Sequence, residues 1–150
     1  MIAEKLVAIL KENSLSIAAA ESCTGGAFMA ALVRVSGASD VFSGGIVAYS
    51  LDAKVKQLSV TRETLDEFDV VSEQVAGEMA IGARKKFGAD IGIGITGYAG
   101  PSGERVGEVC FGLCIGEQVF ALTQNFSGTR EQVIDESVKF LIGWLCDKFN

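Results

Sequence analysis

Ser16-Ile17-Ala18-Ala19-Ala20-Glu21-Ser22-Cys23-Thr24-Gly25-Gly26-Ala27-Phe28-Met29-Ala30-Ala31-Leu32-Val33-Arg34-Val35 begins as a short apolar run, crosses a polar junction with two glycines, and continues as a longer apolar segment. Ser16 to Ala20 predicts a buried strand and Ala27 to Val35 an apolar helix. A strand that passes directly into a helix puts the junction at the carboxyl edge of a sheet. In open α/β sheets ligands gather at that edge, and helix-start amides there hold an anion or a developing oxyanion. Ser22 and Cys23 are therefore candidate nucleophiles, and Thr24, Gly25 and Gly26 are candidate ligand contacts. The chain contains no histidine, so neither a Ser-His nor a Cys-His pair can form within it. An activated Ser22 needs a lysine, a tyrosine or an outside cofactor. Two competing readings stay open at this point: Ser22 as a plain helix cap, and Cys23 as nucleophile with a thiolate made by a lysine or a helix terminus.

Outward from this junction, a helix is predicted over Ile2 to Asn13, and Gly37 ends the segment that follows Gly26. Gly44 to Tyr49 reads as a second strand, Asp52 to Leu58 as a short helix capped by Ser50, and Val60 to Val70 as a connecting segment. Ser72 caps a helix to Lys86 on which Val75, Met79, Ala83 and Phe87 recur at four-residue spacing, and Gly88 closes it. Asp90 to Thr96 is a buried strand whose glycines permit close packing, followed by a loop from Gly97 to Arg105. Val106 to Ile115 and Gln118 to Phe126 form a hairpin turning at Gly116-Glu117. The last helix, Arg130 to Lys148, gathers Val133, Ser137, Phe140, Leu141, Trp144 and Leu145 on one face. Helices between the first three strands and a hairpin after them predict one α/β domain over residues 1–150, a three-layer α/β/α sandwich around a mixed sheet of about five or six strands.

Composition narrows the function. A net charge of −6 with no long basic run argues against nucleic acid and for a small-molecule ligand. No apolar run reaches membrane-spanning length and Met1 opens into an amphipathic helix, so the expected location is the cytoplasm, with no membrane partner. Cys23, Cys110, Cys114 and Cys146 lack C-x-x-C spacing. On one strand, Cys110 and Cys114 would sit about 13 Å apart, too far to share a zinc ion. Buried free thiols are expected, with no metal.

Three further places carry chemistry. Tyr49 and Lys54 straddle a strand end and a helix start, and both can point into the crevice at that edge. Lys54 is a general base only if it is desolvated beside Ser22; a solvated helix lysine, like Lys56, is the ordinary alternative. Thr96 ends the third strand at the same edge. Arg130 opens the last helix, with a guanidinium and nearby amides suited to phosphate.

The tracts A-E-S-C-T-G-G at 20–26, F-S-G-G-I-V-A-Y-S at 42–50 with A-K at 53–54, V-S-E-Q-V-A at 71–76, A-D-I-G-I-G-I-T-G-Y-A-G-P at 89–101 and F-S-G-T-R at 126–130 run in unbroken order from about Ser16 to Leu145. This series resembles the CinA C-terminal domain family, in the stand-alone form without the N-terminal domain of full-length CinA competence/damage-inducible proteins. The resemblance implies a three-layer α/β/α fold, self-association into a homo-oligomer, and cofactor-free conversion of a small nucleotide, nicotinamide mononucleotide, to nicotinate mononucleotide and ammonia. It implies Ser22 as nucleophile, Lys54 as catalytic lysine, Tyr49 as assisting tyrosine, and Thr96 and Arg130 as ligand contacts. Two departures stand out. Many members read Y-S-N-E-A-K where this chain has Leu51 and Asp52. Many also carry a longer loop after the proline ending in K-P-V-G, which leaves Arg105 here as the replacement for the basic residue. The residues alone leave open a non-catalytic nucleotide- or phosphate-binding module, a hydrolase of another small amide, and an interaction protein acting through its helices.

Overall fold

The computed structural model describes residues 1–150. Its elements are α1 (Ile2–Glu12), β1 (Ile17–Glu21), α2 (Ala27–Val33), a single 3-10 turn (Ala38–Asp40), β2 (Phe42–Val47), α3 (Leu51–Leu58), α4 (Arg62–Phe68), α5 (Glu73–Phe87), β3 (Ile91–Gly97), β4 (Glu108–Ile115), β5 (Gln118–Asn125) and α6 (Arg130–Phe149). Five strands form one sheet in the order β2-β1-β3-β4-β5. β1 runs parallel to β2 and β3, β4 is antiparallel to β3, and β5 is antiparallel to β4. The three-layer sandwich with a mixed sheet is thus as the sequence predicts.

Alternation along the strands separates two cores. Ile17 and Ala19 of β1, Ile91, Ile93 and Ile95 of β3, and Val109, Phe111 and Leu113 of β4 pack with α1, α2 and α6 through Leu6, Leu10, Phe28, Leu32, Leu141 and Leu145. Ala18 and Ala20 face the other way, into a smaller core with Leu58 of α3 and Val75, Met79 and Ala83 of α5. Gly92 and Gly94 of β3 and Gly112 of β4 also face α5. A methyl group at any of them would overlap the carbonyl oxygen of Ala76 or Ala80, so α5 lies directly on the backbone of the sheet. The Ile-Gly alternation of β3 is a packing code: bulk on one face, a bed for a helix on the other.

The segment read as a connection over Val60 to Val70 contains α4. This helix buries none of its residues, so it leaves no apolar periodicity to detect. Its start is held by polar bonds: the Thr61 hydroxyl accepts from the Thr64 amide at 3.1 Å, and Glu78 of α5 accepts from the Thr61 amide at 2.8 Å and from the Thr64 hydroxyl. β2 lies two residues earlier than predicted, leaving Ala48 and Tyr49 beyond its end, and β1 extends through Glu21. Ser50 and Ser72 cap α3 and α5 as expected. Ser22 caps nothing; the N-cap position of α2 belongs to Gly26, in a left-handed conformation at φ 100°.

All four cysteines are buried free thiols, and no cluster of His, Cys, Asp and Glu is arranged to hold a metal ion. No helix is long and apolar enough to cross a membrane.

Candidate active site

The topology determines what meets where. β1, β2 and β3 are parallel, so the residues following β1 and β2 and the end of β3 lie along one edge of the sheet. β5 points the same way through two antiparallel steps, which brings the start of α6 to that edge as well. A pocket of about 230 Å³ opens there, lined by Ser22, Tyr49, Lys54, Thr96 and Arg130, with Cys23, Val70–Val71 and the Gly97–Gly100 turn filling the walls.

Ser22 and Lys54 are both buried, Lys54 to within 1% of full burial. The Lys54 Nζ lies 2.8 Å from the Ser22 Oγ, 2.8 Å from the Ala48 carbonyl oxygen and 3.2 Å from that of Tyr49. No carboxylate forms a salt bridge with it. Burial pushes its ammonium down to about 8, while the nearby Cys23 thiolate would act in the opposite direction. The neighbouring Lys56 is exposed and paired with Asp52 at 2.9 Å. Of the two lysines on α3, only Lys54 is placed for chemistry.

Tyr49 is 60% exposed, and its hydroxyl accepts from the Arg130 guanidinium at 2.9 Å. Arg130 also donates to the Gly100 carbonyl oxygen at 2.5 Å. The Thr96 hydroxyl donates to the Val70 carbonyl at 3.0 Å, tying the end of β3 to the pocket wall. Cys23 lines the pocket, yet its thiol is pushed up to about 12 by burial first and then by the charge of Glu21, which outweigh its own amide, Lys54 and Arg130. It is a poor thiolate source.

Four of the predicted ligand contacts have other duties. Thr24, Gly25 and Gly26 do not line the pocket. The Thr24 hydroxyl and the Gly26 amide both donate to the Glu21 carboxylate, at 2.5 and 3.2 Å, and the Gly25 amide donates to the Ser22 carbonyl at 3.0 Å. Arg105 is likewise committed. It bonds both oxygens of Glu108 at 2.7 and 2.8 Å, Asp69 at 3.0 Å and the Val71 carbonyl at 3.0 Å, and it lies over the Tyr98 ring at 5.3 Å. It braces the Val70–Val71 wall from outside the pocket.

That wall and Glu21 escaped the sequence reading. Glu21 is fully buried, and its carboxylate also accepts from the Phe28 amide at 3.1 Å and the Met29 amide at 2.9 Å. A signal for it existed: strand alternation continues Ile17 and Ala19 into position 21, which aims a charge at the core. No such periodic signal marks Val70 and Val71, which sit between two helices.

The family model of the CinA C-terminal domain matches residues 1–149. The chain belongs to the CinA C-terminal domain family. It is 42% identical over 146 residues to the CinA-like protein of Kosmotoga olearia, covering 95% of this chain and 35% of that protein. With the CinA-like protein of Chlorobium limicola it shares 51% identity over 133 residues, 83% of this chain and 31% of the relative. The chain thus spans about a third of the length of these curated relatives. Among solved structures, the competence or damage-inducible protein from Enterobacter asburiae superposes with a TM-score of 0.96 at 37% identity, covering 99% of this chain and 96% of that one. The CinA superfamily protein from Klebsiella pneumoniae 700603 gives 0.96 at 34% identity, covering 99% and 95%.

Proposed function

We propose that this CinA-family chain is a serine amidohydrolase with a Ser22-Lys54 dyad, converting nicotinamide mononucleotide to nicotinate mononucleotide and ammonia. The observation that carries the reading is the 2.8 Å contact between Lys54 Nζ and Ser22 Oγ inside a site where two backbone carbonyls engage the same nitrogen. A neutral lysine amine keeps two hydrogens. With those donated to the carbonyls of Ala48 and Tyr49, its lone pair is left facing the Ser22 hydroxyl.

In the first half-reaction Lys54 takes the Ser22 proton and Oγ adds to the carboxamide carbon. The C–N bond then breaks, ammonia leaves with the proton returned by Lys54, and an ester to Ser22 remains. The Tyr49 hydroxyl, accepting from Arg130, keeps its own proton free to relay toward the leaving nitrogen. In the second half-reaction Lys54 deprotonates water, the hydroxide adds to the ester, and the C–Oγ bond breaks as Lys54 returns the proton to Ser22 Oγ, which releases the carboxylate and restores the dyad. The amide of Cys23, a residue of the pocket wall, donates to no backbone carbonyl, which leaves it as a donor for the oxyanion, at about 3 kcal/mol in comparable sites. Lys54 and Arg130 line the pocket and no acidic side chain does, which supports an anionic substrate such as a nucleotide.

The test is steady-state ammonia release from nicotinamide mononucleotide. Ser22→Ala and Lys54→Ala each abolish turnover, and the double variant is scarcely worse than either single one, because nucleophile and base act as a unit. Wild-type protein that binds the nucleotide and releases no ammonia from it or from related amides rejects the reading in favour of a binding module.

A further inference from the structure

The residue immediately before Ser22 poses a physical problem. Glu21 is an acid buried without a lysine or arginine partner, an arrangement that costs several kcal/mol unless hydrogen bonds replace its hydration. The replacement is complete. One carboxylate oxygen accepts from the Thr24 hydroxyl and the amides of Gly26 and Phe28, and the other accepts from the Met29 amide. These donors belong to the turn after Ser22 and to the first turn of α2. The end of a helix that attracts an anion is filled here by the chain's own carboxylate.

We propose that Glu21 is a positioning residue for the nucleophile: an internal anion that ties the end of β1 to the start of α2 and thereby locks the Ser22–Thr24 turn with Ser22 Oγ against Lys54. Three constraints converge on this short turn. The Ser22 amide is held by the Ile95 carbonyl at 3.0 Å, its carbonyl accepts from the Gly25 amide at 3.0 Å, and Glu21 holds the turn from both ends. Glu21 also decides which amides are free. It occupies those of Gly26, Phe28 and Met29, which leaves the Cys23 amide, on the pocket wall, to meet an oxyanion. A third effect is electrostatic: burial first, and the charge of Glu21 after it, hold the adjacent Cys23 in its thiol form, which favours Ser22 as nucleophile. The inference rests on the acyl-transfer reading of the site.

Glu21→Gln retains the shape but sets an NH₂ donor against the amide of Met29 or of Gly26 and Phe28. Thr24→Val removes one donor, keeps the volume, and leaves the fold intact if Glu21→Gln does not fold. Both variants are compared with wild type in three measurements: kcat and KM for nicotinamide mononucleotide, the rate of Ser22 phosphonylation by a fluorophosphonate followed by intact mass, and the pH dependence of Cys23 alkylation by iodoacetamide. The expected result for folded Glu21→Gln is a fall of about 30-fold or more in kcat and in Ser22 labelling with KM nearly unchanged. Cys23 alkylation moves to lower pH in Glu21→Gln and not in Thr24→Val, which loosens the same turn but keeps the carboxylate. Thr24→Val gives a smaller loss in kcat and labelling. Wild-type kcat and labelling in folded Glu21→Gln overturn the proposal; so does a rise in KM alone for Thr24→Val, which would make its hydroxyl a ligand contact. Failure of the acyl-transfer reading looks different: wild-type Ser22 itself then resists the fluorophosphonate, and no amide is hydrolysed.

Discussion

Lys54 is costly to the fold at the position where the proposed reaction needs a base. Its ammonium is buried at 1% exposure with two carbonyls and a hydroxyl for company, and burial brings it from 10.5 down to about 8. The unfolded chain holds this proton up to about 10.5 while the folded chain releases it near 8. Between those values the unfolded state binds more protons, so the Lys54 contribution to stability rises with pH, by up to about 1.4 kcal/mol per unit. Below 8 both states are protonated and the cost of the buried charge is fully present. The unfolding free energy of wild type relative to Lys54→Met, measured in urea from pH 7 to 10, is expected to shift in favour of wild type above pH 8. Over the same range kcat/KM rises through a single ionisation near 8 and levels off, because only the neutral amine takes the Ser22 proton. A flat profile across that range would remove Lys54 from the role of base.

At the scale of elements, the bed of α5 governs how accurately the site edge is held. Gly94 and Gly112 lie under the Ala76 carbonyl, and the strands that carry them end in Thr96-Gly97 and begin with Glu108 at the same edge of the sheet as the pocket. Gly94→Ala forces α5 away from the sheet, and overpacking of this kind costs about 1–3 kcal/mol. Urea denaturation should register that loss, and Gly88→Ala offers a comparison: its added methyl meets nothing within 4 Å, so its penalty comes only from the left-handed backbone at φ 61°. The pocket wall depends on a second element-scale device. Asp69 adopts φ 75°, and its carboxylate is held by Arg105 and by the Tyr98 hydroxyl at 3.1 Å, which connects the end of α4 to the loop before β4.

Across the whole molecule, the site is assembled from segments far apart in the chain. Lys54 reaches Ser22 across 32 positions, Arg105 reaches Asp69 across 36, and Arg130 reaches Tyr49 across 81. Arg130→Ala therefore removes a contact that α6 makes over the top of the sheet edge. If its guanidinium meets the substrate phosphate in ground and transition states alike, KM for nicotinamide mononucleotide rises far more than kcat falls. A large fall in kcat at constant KM would instead tie Arg130 to the chemical step, through Tyr49. By itself the sequence determined the three layers and the edge at which Ser22, Tyr49 and Thr96 gather, because alternation, helical spacing and caps are local and survive in one dimension; the two antiparallel steps to β5 brought Arg130 there. The absence of histidine also limited the bases available to Ser22. Only the tertiary structure decided that Lys54 is buried while Lys56 is solvated, that Arg105 and Thr24 brace the site from outside the pocket, that α4 is a helix, and that Glu21 is satisfied inside the core. Desolvation and hydrogen bonding between distant segments depend on what packs over a residue, and no local pattern records that.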